Sequence, residues 1–134
     1  MDKTHRLVIG ECYSVAQALT RAVLYLHLAG WLYKGLRSDN ILFFAKDLSE
    51  IDFAYPSIAG FEYNRLESAA GLTKDVPADP ESNLYRHVGC QGVPVDRKNE
   101  EESPNNARAP GKTPYQRIYD VYSLGVILLE LGLG

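Results

Sequence analysis

The sequence predicts a mainly α-helical domain carrying one small β-hairpin. Three observations lead there. Residues 1–30 form a long amphipathic run, residues 120–134 are apolar almost throughout, and a five-residue apolar stretch, Ile41-Leu42-Phe43-Phe44-Ala45, stands between polar loops. A chain of 134 residues suffices for one core and is too short for two.

In the first element, Val8, Cys12, Val15, Leu19, Ala22 and Leu26 recur at alternating steps of four and three, which sets them on one helical face. Leu7, Ala18, Val23 and Ala29 widen that stripe, while Arg6, Glu11, Gln17 and Arg21 supply the wet face. Gly30 is a natural left-handed stop, and Trp31-Leu32 is placed to fold back over the last turn. Residues 33–40 read as a polar loop. The apolar run at 41–45 is then a buried strand, 46–50 a turn, and a second strand falls within 51–63, interrupted by Pro56. Residues 71–116 hold all but one of the seven prolines, and within them 93–112 contain almost nothing to bury, so that stretch reads as a mobile, disordered insertion. Asp120 is a good N-cap for the last segment, which is hydrophobic nearly all round and so belongs at the centre of the core. A buried helix ending at Gly134 lacks elements to cover it, and the chain reads as unfinished.

Composition narrows the function classes. A net charge of -3 gives no reason to expect nucleic acid as a partner. Cys12 and Cys90 cannot build a disulfide framework, the N-terminus has no signal-peptide pattern, and no apolar run approaches the ~20 residues of a membrane span. A soluble, cytoplasmic protein is expected. His5, His27 and His87 are scattered, and with the two cysteines they show no zinc spacing. Ser123 has no histidine partner in view, so nucleophilic catalysis is not supported.

The loop Tyr33-Lys34-Gly35-Leu36-Arg37-Ser38-Asp39-Asn40 aligns without a gap on the protein-kinase catalytic loop H-R-D-L-x-x-x-N, with Leu36 and Asn40 in place. Asp120-Val121-Tyr122-Ser123-Leu124-Gly125 is similar to the kinase D-V-W-S-x-G helix. In this order the motifs resemble the large helical lobe of eukaryotic protein kinases. The run from Gly30 to Phe44, with Gly60-Phe61-Glu62-Tyr63-Asn64-Arg65 and Leu84-Tyr85-Arg86-His87, is closest to the degenerate kinase-like domains found beside fungal HeLo or prion-inhibition modules. The resemblance implies a truncated large lobe over 1–134. Its parts are a long helix (1–30), a catalytic-loop-like region and hairpin (31–65), an activation-segment-like region (66–119) and a core helix (120–134).

In working kinases the loop Asp accepts the substrate proton, and the loop Asn and a later D-F-G Asp hold magnesium on the ATP phosphates. Here the base position is Gly35, which has no side chain, and the His position is Tyr33. Asn40 is the retained candidate for magnesium and cofactor binding, unless it simply closes the loop on its own backbone. Leu42 is a candidate adenine contact, though a mid-strand Leu is core by default. Two alignments compete for the magnesium Asp. Distance from Asn40 favours Asp52-Phe53-Ala54, whereas local character favours Ser57-Ile58-Ala59 leading to Gly60-Phe61, which puts Gly60 at the ligand position and is preferred. Asp39 is a poor stand-in base because the family places that position away from substrate. Phe61, in the same frame, is a candidate spine residue that senses activation state, though a buried aromatic following a strand needs no such role. Asp120 caps its helix and, as the resemblance implies, hydrogen-bonds the backbone of the 33–35 loop.

No Gly-x-Gly-x-x-Gly loop and no Val-Ala-x-Lys strand occurs in the chain. The expected function is therefore a catalytically inactive, pseudokinase-type regulatory or interaction module. It would engage a protein partner in fungal signalling through the long helix and residues 84–115, with no cofactor. Two alternatives stand beside it: a fragment of a Ser/Thr protein kinase binding ATP and magnesium, and an incomplete gene product with no independent role. Apolar surface left uncovered on the last helix predicts association or poor solubility.

Overall fold

Two antiparallel helices frame the computed structural model, which describes residues 7–47, 50–68, 80–91 and 115–133. Helix α1 spans Ile9–Leu28. Its first turn is held by Glu11, whose Oε2 accepts the Val8 N–H at 2.8 Å, one half of a capping box. The chain leaves α1 through Gly30 at φ +78°, a left-handed conformation that glycine adopts without penalty, and the Gly30 carbonyl then accepts the Glu67 N–H at 2.8 Å. Val15, Leu19, Val23 and His27 are buried at steps of four. The buried stripe thus winds round the helix by about 40° per step, where the expected alternation of four and three keeps nearly to one line, turning His27 inward and leaving Val8 exposed.

Between the helices the chain runs out and back through three nested antiparallel ladders, not one hairpin. Strand β1 (Trp31–Leu32) forms the outermost pair with the last strand of the series, β2 (Ile41–Leu42) the next with the fifth, and β3 (Ala45–Asp47) with β4 (Glu50–Ile51) the innermost. The returning strands are β5 (Ser57–Ile58), which sets Ile58 against Ile41, and β6 (Arg65–Leu66), which sets Leu66 against Trp31. The expected five-residue buried strand is therefore broken after Leu42, and Leu42, Phe44 and Ala45 are exposed. Part of the expected turn at 46–50 is strand.

A short helix, α2 (Pro80–Leu84), precedes Tyr85, and the final helix α3 spans Arg117–Leu133. Helix α3 starts three residues before Asp120, so Asp120 is not its N-cap; it lies inside the first turn with its side chain turned to the loop after β1. Tyr119, Asp120, Ser123, Leu124 and Ile127 form the buried face. The opposite face is open: Ile118, Val121, Leu129 and Leu133 are each more than half exposed, so α3 is not buried all round. The core joins Val15, Leu19 and Val23 of α1 to Tyr33, Leu36, Tyr85, Leu124 and Ile127, each large aliphatic contributing about 1.5–3 kcal/mol by burial. Among the described residues, no helix is long and apolar enough to cross a membrane. The expected insertion at 93–112 and the N-terminal part of the expected first helix, 1–6, lie outside the described residues.

Candidate functional site

The loop between β1 and β2 hangs on one fully buried carboxylate. Asp120 Oδ2 accepts the Tyr33 N–H at 2.9 Å and the His27 Nε2–H at 2.9 Å. Its Oδ1 accepts the Lys34 N–H at 3.0 Å and the Tyr115 hydroxyl at 2.7 Å. Four donors from three stretches of chain thus satisfy a side chain with no exposed surface, the condition under which a buried carboxylate is tolerated. His27, which had shown no role in the sequence, is one of them. The signal that could have found it was its place four residues after Val23 on the buried stripe.

Around this anchor the backbone is forced. Lys34 sits at φ +61°, left-handed although it carries a side chain, and its ammonium lies 5.6 Å from the centre of the Tyr115 ring. Tyr33 is fully buried, edge-on to Phe61 at 5.4 Å between ring centres. Its hydroxyl is buried beside the Asn40 side chain. Burial, followed by the nearby Glu62 and Asp120 carboxylates, pushes the Tyr33 phenol well above its ordinary range. Burial, then Asp120, does the same to Tyr115. Phe61 is half-exposed, not buried as expected, because only one edge meets Tyr33.

Gly35, Asn40 and Gly60 come together at the open end of the loop. The Asn40 amide donates to the Gly35 carbonyl at 2.7 Å, and the Asn40 carbonyl accepts the Ala59 N–H at 2.7 Å. Asn40 therefore closes the loop on its own backbone. Gly60 is left-handed at φ +82°, and a Cβ there would fall 2.5 Å from the Asn40 amide nitrogen. At Gly35 a Cβ would meet nothing closer than the Gly60 carbonyl oxygen at 3.4 Å.

The other candidates are placed elsewhere. Asp52 bonds across to Phe44, four residues farther along the ladder than Asn40, and its carboxylate accepts the Ala54 N–H at 3.0 Å within a local turn. Asp39 is exposed and paired with Arg37. Leu42 is 43% exposed, so it is not the core residue its strand position suggested.

A second network fixes the far side of the loop. The Tyr85 hydroxyl donates to Glu130 at 2.6 Å and lies 2.6 Å from the Ser38 hydroxyl, while the Ser123 hydroxyl donates to the Tyr85 carbonyl at 2.6 Å. Arg37 reaches the Ser82 hydroxyl at 2.9 Å. The loop is thereby tied to α2 and α3 together. Cys90 is not activated: its thiol donates to the His87 carbonyl at 3.1 Å, and burial pushes its pKa up. Among the described residues, no three His, Cys, Asp or Glu side chains converge as metal ligands.

No family model, no curated protein and no solved structure matches this chain.

Proposed function

We propose that this chain is a pseudokinase-type regulatory or protein-interaction module, built on a kinase-like large lobe and without phosphoryl-transfer activity. The observation that carries the reading is the meeting of Gly35, Asn40 and Gly60 at one mouth, with no carboxylate at either glycine and one Asn40 amide N–H donated to the Gly35 carbonyl. The order of these residues follows the kinase pattern, and their neighbourhood in space supports the alignment that puts Gly60, not Asp52, at the magnesium-ligand position. Phosphoryl transfer relies on a proton acceptor and on charge placed against the phosphates. Glycine provides neither. The anchoring of the loop by Asp120 supports a role in which a held shape is presented to a protein partner.

The test is thermal unfolding with and without ATP and magnesium, on the natural chain and on Gly35→Asp, whose Cβ the structure accommodates. A ligand at a hundred times its Kd would stabilise by about 2.7 kcal/mol. No magnesium-dependent shift is expected for the natural chain. A clear shift would instead favour an ATP-binding Ser/Thr kinase fragment.

A further inference from the structure

We infer that two copies of this chain pair through the apolar groove between the start of α1 and the end of α3, in an isologous contact about a two-fold axis. Ile9, Tyr13, Leu128 and Leu131 wall the groove, and Gly10 and Gly132 leave recesses in it. Both glycines stand inside helices, where glycine is disfavoured relative to alanine. Neither has a positive φ, and a Cβ at either would meet nothing within 4 Å. Within one copy, nothing described requires a missing side chain at 10 or 132. A second helix laid in the groove does, because a bare backbone lets it approach more closely.

Three features of the groove fit a second copy of the same chain. An isologous contact sets one patch against itself, so it needs ridge and recess side by side on that patch. Ile9 and Tyr13, 91% and 66% exposed, form such a ridge beside the two glycines. The contact also sets residues near the axis against their own copies, where a charge would meet its like. Among the described residues no charged side chain lines the groove, and the nearby carboxylates are engaged elsewhere, Glu11 with the Val8 N–H and Glu130 with the Tyr85 hydroxyl. Leu129 and Leu133 extend the apolar surface along α3, 67% and 88% exposed. Four large side chains so exposed, with the groove they flank, offer a surface comparable with the ~800 Å² that each partner of a stable pair buries. The pairing does not rest on the kinase-like reading.

Sedimentation velocity on the full chain tests it. The natural chain should pass reversibly from monomer to dimer as concentration rises, and stop there. Gly10→Ala combined with Gly132→Ala should weaken pairing about tenfold, because each methyl stands where the second copy comes close. The same variant, diluted to monomer, should unfold at the same or a higher temperature, since alanine is the better helix former and its Cβ has room in a single copy. Cys12 lines the groove and Cys90 does not, so a maleimide should label Cys12 more slowly as the dimer forms and Cys90 at an unchanged rate. A chain that stays monomeric at every concentration overturns the pairing and leaves the groove to a different helix. Assembly that grows past the dimer overturns it too, as does a double-alanine variant that pairs as tightly as the natural chain, or Cys12 labelling indifferent to concentration.

Discussion

Four donors converge on the Asp120 carboxylate, and removing it would leave all four without their acceptor, those of His27 and Tyr33 in a buried site. Asp120→Ala is expected to cost about 3–5 kcal/mol, read as a lower urea midpoint, because an orphaned buried network costs more than any one of its bonds. The two mouth glycines should behave differently. Gly60→Ala meets both a positive φ and a 2.5 Å approach to Asn40, so about 2–4 kcal/mol should be lost, whereas Gly35→Ala should be neutral within about 0.5 kcal/mol. Asn40→Ala should remove part of the Gly60→Ala cost in a double-mutant cycle, since the clash is with that side chain. Tyr33 and Tyr115 set the alkaline limit. Their folded pKa values are raised, so their contribution is complete below the unfolded value near 10 and is lost as pH rises above it. Unfolding free energy should therefore fall above about pH 10, by about 1.4 kcal/mol per pH unit for each tyrosine that stays neutral in the folded chain, and Tyr115→Phe should flatten that fall.

Helix α1 was legible because its period is local: the spacing of Val15, Leu19 and Val23 follows from helical geometry whatever packs against it. Its fourth buried residue, His27, was not, because a histidine on an apolar face acquires a role only when a partner arrives, and this one comes from 93 residues away. Helix α3 shows the complementary case. An almost wholly apolar segment reads as buried on all sides, yet its buried residues lie on the one face carrying Asp120, Leu124 and Ile127. The excursion between the helices was read as one hairpin because two-residue strands carry too little alternation to be counted, and the pairings 41 with 58 and 31 with 66 depend on register, not on composition. His27→Ala is expected to cost about 1–3 kcal/mol and to raise amide exchange at Tyr33, the residue that shares Asp120 Oδ2 with it.

At the scale of the molecule, apolar surface is the dominant unsatisfied feature. Near the N-terminal end of α1 and the C-terminal end of α3, Ile9, Tyr13, Leu129 and Leu133 are exposed around a shallow groove lined by Cys12, Ala16, Leu128 and Leu131. Surface of this kind drives association. The purified chain is expected to self-associate with rising concentration in sedimentation velocity, and Ile9→Lys combined with Leu133→Lys should shift it toward monomer. Unchanged association in that variant would place the contact on another face.

The sequence by itself determined the two long helices, the polar loop between them and the absence of a side chain at position 35, because periodicity, loop chemistry and residue identity are local properties. It also placed a carboxylate at position 120 without showing what that group would hold. Only the tertiary structure decided that Asp120 gathers His27, Tyr33, Lys34 and Tyr115, that Gly60 and not Asp52 meets Asn40, and that Lys34 is held left-handed. Each of these depends on groups distant in the chain being brought within hydrogen-bonding or van der Waals range, and the free energy of such a contact is written in no single segment.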